Sequence, residues 1–236
     1  MGGRPKHIGI VAVSAPGAAL CYQTICVEGE KVLGERYAHP EVTMHGHPFS
    51  EYMKRIEAGD WGGVAELMAS SARKLASVGA DFAICPDNTV HIAYDEAVRR
   101  SPIPWLHIAE EVAREAKKRG FGKLLILGTK FLMGSDVYPS RLKAFGIEWA
   151  VPDPPEREVV NRIIFGELVY GVVRSDSRSR LVDIVARMAR EEGCDAVVLG
   201  CTELPLILDD STSPIPTLDS TRILARAALR RAAGLE

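Results

Sequence analysis

The stretch GADFAICPD at 79–87 returns as GCDAVVLGC at 193–201. Gly79 falls on Gly193, Asp81 on Asp195, and Asp87 on Cys201. Each copy runs glycine, acid, a short apolar strand, and then a reactive side chain followed by polar residues. Two further pairs keep nearly the same offset. HIGIVAVS at 7–14 matches KLLILGTK at 123–130, and Ala72-Arg73 in one lead-in helix matches Ala186-Arg187 in the other. Self-similarity sustained at one period is the mark of a repeated structural unit. The chain therefore reads as two copies of one half-domain, with a reactive group at the same place in each.

Short β-branched runs alternate with longer helical patterns, which argues for parallel sheets built from βαβ units. Strands are expected near 7–13, 41–46, 81–86, 103–106, 123–128, 147–151 and 195–200. Helices are expected near 18–33, 49–57, 61–78, 89–99, 107–119, 137–144, 156–173, 178–192 and 219–233. Ser101-Pro102-Ile103-Pro104 ends a helix and passes the chain to the second half, because proline and the residue before it resist helix. Ser213-Pro214-Ile215-Pro216 marks a second crossing, after which Asp219 caps a last helix that returns to the first half. The half-domains expected are 1–101 with 217–236, and 102–216.

With 47% hydrophobic residues among 236 the chain can bury a full core in each half. The formal net charge of −2 and a pI near 6.3 give no reason to expect nucleic acid or an anionic membrane as partner. The arginines 222, 226, 230 and 231 lie at helical spacing and read as a solvated face. Cys21, Cys26, Cys85, Cys194 and Cys201 follow neither a disulfide-framework nor a CxxC spacing, so free thiols in a reducing cytoplasm are expected. Arg4 and Lys6 before IGIVAVSAPGAAL imitate a secretory signal. That reading is set aside, since Ile8–Val13 has its repeat partner at Leu124–Leu127 and Pro16-Gly17 breaks the run at a βα turn. No apolar stretch approaches the roughly 20 residues needed to span a bilayer.

In open parallel sheets ligands bind outside the carboxyl ends of the strands. Ser14, Asp87, Thr129 and Cys201 all follow such ends. If the halves face each other across a pseudo-twofold axis, Asp87 and Cys201 approach a ligand from opposite sides. Each is expected to open a helix, whose exposed N–H groups bind carboxylates and stabilise a thiolate. Unperturbed acidities of about 3.9 for Asp and about 8.5 for Cys make the resting pair a carboxylate and a thiol, one accepting a proton and the other donating it. His45 and His47 in MHGHPF stand at i,i+2, but no third metal ligand accompanies them. No metal site is expected, and His47 is taken as a contact at a pocket mouth. His91, one turn beyond Asp87, is read mainly as a structural hydrogen-bonding group, and His107 as a packing residue at the junction.

CPDNTVH at 85–91, LGT at 127–129, GCTELP at 200–205 and PTLDST at 216–221 together resemble the aspartate/glutamate racemase superfamily. The resemblance spans nearly the whole chain. It implies an α/β fold of two pseudo-symmetric, Rossmann-like parallel-sheet halves with the active site between them. It also implies no pyridoxal phosphate, metal or other cofactor, and two-base inversion at a carbon next to a carboxylate. Carried over residue by residue, Cys201 matches the second catalytic cysteine, and Asn88, Thr89 and Thr202 match the binders of the substrate carboxylate. The family's first motif usually reads Cys-Asn-Thr, whereas this chain has Asp87-Asn88-Thr89. Cys85 comes two residues early and would lie one step deeper, so Asp87 is taken as the acid/base in preference to it. The glycine-rich first turn of the family appears as Ala12-Val13-Ser14-Ala15-Pro16, and a threonine often present after LGT appears as Leu132.

The expected activity is cofactor-independent racemisation or epimerisation of a small carboxylate, an amino acid with the acidic ones among the candidates, by Asp87 and Cys201. Ser14, His47, Asn88, Thr89, Thr129, Thr202 and Glu203 are the expected substrate contacts. A rival within enzymes is decarboxylation of a substituted malonate with Cys201 as proton donor. A rival of another class is a non-catalytic protein that binds a small anion. The expected partners are a small carboxylate and other copies of the chain, as in a dimer.

Overall fold

The computed structural model describes residues 4–235, and the chain divides into two compact units, 1–108 with 221–236 and 109–220. In the first unit, β1 (Ile8–Ala12) lies between β2 (Val42–Gly46) and β3 (Phe82–Ile84), parallel to both. Between the strands run α1 (Ala15–Leu33), α2 (Phe49–Glu57) and α3 (Trp61–Ser77), and after β3 comes α4 (Tyr94–Arg99). The second unit opens with α5 (Ile108–Arg119), whose first residue belongs to the first unit. Its sheet has the order β5-β4-β6-β7, all parallel: β4 (Lys123–Gly128), β5 (Glu148–Ala150), β6 (Ala196–Gly200) and β7 (Thr217–Asp219). Around it lie α6 (Lys130–Met133), α7 (Val137–Ala144), α8 (Pro154–Gly166) and α9 (Ser175–Glu192). The last helix, α10 (Ser220–Ala232), belongs to the first unit from Thr221 onward.

The repeated residues do the same work in both units. Gly79 and Gly193 take φ of 90° and 69°, the left-handed conformation that glycine adopts without steric cost as a helix gives way to a strand. Asp81 then accepts the His7 amide at 2.7 Å and returns its own N–H to the His7 carbonyl at 2.9 Å. Asp195 likewise accepts the Gly122 amide at 2.7 Å and donates its N–H to the Lys123 carbonyl at 2.9 Å. The acid thereby ties each reactive-end strand to the start of the strand beside it. Further on, Ser101 donates its hydroxyl to the Ile103 carbonyl at 2.7 Å and Ser213 does so to Ile215 at 2.6 Å, so the two SPIP turns share one hydrogen bond.

Several expected elements come out differently. The strand expected at 103–106 contracts to a single parallel bridge between Ala83 and Trp105. The matching turn in the second unit does continue as β7, a strand not expected there, which ends on Asp219, the expected cap of the last helix. The helix expected over 89–99 is a 3-10 turn, Thr89–Ala93, followed by α4. The one expected over 156–173 stops at Gly166 and gives a short 3-10 turn, then Gly171 at φ 71°.

Burial follows the binary pattern. The first core gathers Ile8 and Ile10 of β1, Cys21 and Ile25 of α1, Phe82 and Ile84 of β3, and Leu224, Ala228 and Leu229 of α10. A buried leucine contributes roughly 1.5–3 kcal/mol, so the apolar stripe of α10 is reason enough for the last helix to pack on the first sheet. The second core collects Leu125 and Leu127 of β4, Val197 and Leu199 of β6, and the apolar faces of α8 and α9.

At the carboxyl ends of β4 and β6, Gly128 and Gly200 are register partners. A Cβ on Gly200 would stand 2.7 Å from the Leu127 carbonyl oxygen and 2.7 Å from Leu132 Cδ2, and one on Gly128 would stand 2.7 Å from the same Leu132 atom. Backbone cannot yield as a side-chain tip can. Gly200→Ala is therefore expected to destabilise the protein by about 1–3 kcal/mol, the usual cost of overpacking, measured as a lowered midpoint of denaturant unfolding at unchanged slope.

Candidate active site

In the first unit Ser14 follows β1, His47 follows β2 and Asp87 follows β3, so the three stand along one edge of a single sheet. Pro86 halts the ladder, and Asp87 Oδ1 accepts the Val90 amide at 3.2 Å, which nucleates the 3-10 turn. The Asp87 carbonyl is held as well, by His91 Nδ1 at 2.7 Å. The Asp87 residue itself is half-buried, whereas Asn88 and Thr89 beside it are buried. Ser14 caps α1, its Oγ accepting the Gly17 amide at 3.4 Å.

Cys85 is wholly buried. Burial first, and then the charge of Asp87, push its thiol well above the usual cysteine range. Such a thiol gives almost no thiolate near neutrality and makes a poor acid/base. The geometry thus favours Asp87 over Cys85 as the group exposed at this strand end.

His47 Nε2 meets Ser70 Oγ at 3.2 Å, and His45 Nδ1 meets Ser71 Oγ at 3.0 Å. Lys74 donates to His45 Nε2 at 2.9 Å, which makes Nδ1 the protonated nitrogen of His45. Burial, followed by Lys74, lowers the pKa of both imidazoles, so each is neutral at pH 7. His47 accordingly offers a ligand a neutral hydrogen-bonding ring. Among the described residues no group of three or more His, Cys, Asp or Glu could hold a metal ion.

In the second unit Thr129 follows β4 and Cys201 follows the adjacent β6. Thr129 is buried and caps α6, its Oγ1 accepting the Leu132 amide at 3.2 Å. Leu132, also buried, fills the notch between the glycines that end the two strands. Cys201 is half-buried, and its Sγ donates to Glu203 Oε2 at 2.9 Å. Thr202 Oγ1 donates to the same oxygen at 2.8 Å. Glu203, expected among the substrate contacts, thus gathers the thiol and the neighbouring hydroxyl onto one buried carboxylate oxygen. The bond to a carboxylate oxygen fixes the direction in which the thiol points.

Neither reactive residue opens an α-helix. The turn after Cys201 is a 3-10 segment, Leu204–Leu206, with Pro205 inside it. A dipole spanning several helical turns does not act at either point, and anion binding would rest on side chains and single amides. Sequence reasoning also missed the Glu203–Cys201 pairing, although the C-T-E spacing was in view. None of the five cysteines forms a disulfide.

Two α/β units, each built on a parallel sheet and each bearing an ionisable side chain just beyond a strand, Asp87 after β3 and Cys201 after β6, define a duplicated α/β architecture. The sequence model of the Asp/Glu/hydantoin racemase family matches residues 26–228, and the chain belongs to that family of enzymes. The broad specificity amino-acid racemase RacX of Bacillus subtilis (strain 168) is 27% identical over 194 residues, 81% of each chain. The crystal structure of an aspartate racemase homologue from Pyrococcus horikoshii OT3 superposes with a TM-score of 0.82 at 33% identity, covering 96% of this chain and 99% of that one. The Picrophilus torridus aspartate racemase gives 0.74 at 26% identity, covering 97% and 94%. The activity is that of an isomerase acting on a small carboxylate. No helix among the described residues is long and apolar enough to cross a membrane.

Proposed function

We propose that the chain inverts the α-carbon of an amino acid, foremost an acidic one, with Asp87 and Cys201 as the two acid/base groups. The observation that carries this reading is the equivalence of the two strand ends: one presents a carboxylate held by Val90, the other a thiol held as donor by Glu203. In one direction Asp87 takes the α-proton, leaving a planar carbanion conjugated with the substrate carboxylate, and the Cys201 thiol protonates the opposite face. The reverse reaction exchanges the roles. Each turnover leaves the pair with its protons interchanged, and solvent resets them.

Asn88, Thr89 and Thr202 bind the substrate carboxylate and stabilise the charge that builds on it in the transition state. Ser14, His47 and Thr129 line the same strand ends, while Glu203 acts on the substrate through Cys201. The reading invokes no cofactor or metal and suits a reducing cytoplasm in which the thiol persists. That relatives are described as a broad specificity amino-acid racemase and as an aspartate racemase supports the amino-acid class.

The test is incubation of the purified chain in heavy water with the proteinogenic amino acids in both enantiomers, read by loss of the α-proton resonance. Exchange together with inversion of at least one amino acid is expected. No exchange with any of them, or carbon dioxide release from an arylmalonate in its place, would overturn the proposal.

A further inference from the structure

His91 is buried on the 3-10 turn that Asp87 opens, and its two ring nitrogens have different partners. Nδ1 lies 2.7 Å from the Asp87 carbonyl oxygen, and Nε2 lies 3.3 Å from the Ile108 amide. A carbonyl can only accept and an amide N–H can only donate. The ring must therefore carry its proton on Nδ1, which makes it a neutral donor to Asp87 and an acceptor from the first residue of α5. The ring is also braced. Tyr94 stacks on it at 5.3 Å with planes 10° apart, and His107 meets its edge at 4.8 Å. Tyr94 is anchored in turn by its hydroxyl to the Trp105 carbonyl at 3.4 Å, and the Trp105 indole donates to Ser101 Oγ at 2.8 Å. A line of contacts thus runs from the SPIP turn through two aromatic rings and His91 to the peptide of Asp87.

We propose that His91 is a positioning residue for proton transfer by Asp87. It grips the peptide rather than the carboxylate and thereby fixes the direction in which the Asp87 side chain leaves the backbone. The Val90 amide fixes the carboxylate from the other end. Misplacing a reacting group by about 1 Å can cost as much as 10²-fold in rate, so losing one of two anchors is felt in turnover. The inference rests on Asp87 acting as the acid/base group proposed above.

The test uses three variants of the full chain and the amino acid that the wild type exchanges fastest. His91→Phe keeps a flat ring against Tyr94 and deletes both hydrogen bonds, and kcat for inversion is expected to fall about 30-fold while KM moves less than about threefold. His91→Asn sets an amide N–H where Nδ1–H stood and is expected to restore kcat to within about threefold of wild type. His91→Gln reaches the Ile108 amide instead, and is expected to recover melting temperature while leaving kcat as low as in the phenylalanine variant.

Unchanged kcat in His91→Phe would overturn the proposal, as would kcat values that simply follow melting temperature whichever bond is kept. Should the phenylalanine variant fail to fold, the Asn and Gln pair makes the same comparison. Full activity of Asp87→Asn would remove the underlying mechanism and this inference with it. An inactive Asp87→Asn beside a fully active His91→Phe would sink the positioning role alone.

Discussion

Cys201→Ala is expected to abolish inversion, with a loss of about 10³-fold or more, because a positioned acid or base contributes roughly 10²–10⁴-fold. The thiol is half-buried and donates to Glu203 Oε2, which Thr202 continues to serve once sulfur is gone. The fold should therefore survive, with a stability change of about 1 kcal/mol, typical of a single partly buried substitution. Removing one of two groups stops inversion in both directions, since each direction needs both. Residual exchange of the α-proton with heavy water can then occur only in the enantiomer whose hydrogen faces Asp87. Proton resonances of the separate enantiomers measure this directly. Inversion at the wild-type rate in the alanine variant would rule out Cys201 as a catalytic group.

Asp87→Asn should be nearly as damaging, about 10²–10⁴-fold in kcat, for a complementary reason. Asparagine keeps an oxygen for the Val90 amide and leaves the backbone carbonyl for His91, so the 3-10 turn should persist. What disappears is the capacity to hold a proton near neutral pH. The residual exchange should now appear in the opposite enantiomer, the one facing Cys201. The mirrored pattern in two variants separates two-base chemistry from loss of substrate binding, which would depress exchange of both enantiomers alike. Cys85→Ala is the control: its thiol is wholly buried and pushed up in pKa, and its removal should leave exchange at the wild-type level. A defect in Cys85→Ala as large as that in Asp87→Asn would reverse the choice between them.

Asp87 in place of a thiol bears on the chemistry as well as on the assignment. A carboxylate is ionised at neutral pH, whereas a thiol is chiefly protonated. On the two-base mechanism proposed above, the resting pair would accept a proton from one enantiomer through Asp87 and donate one to the other face from Cys201, whose thiol is directed by Glu203.

The duplication, the parallel α/β class and the strand ends bearing Asp87 and Cys201 could all be read from the chain alone. Apolar runs, Gly79 and Gly193 at helix ends, and Asp81 and Asp195 before their strands are local signals that act over a few residues. Tertiary structure decided what depends on choosing among competing partners. Glu203 turned to the Cys201 thiol, His91 took the tautomer imposed by Asp87 and Ile108, and Leu132 lodged between Gly128 and Gly200. It also replaced the expected helix starts with 3-10 turns, where proline and side-chain caps outweigh helical periodicity. Patterns of hydrophobicity record which face is buried, but a hydrogen bond goes to whichever acceptor the packed elements bring within about 3 Å, and that is settled only when distant segments meet.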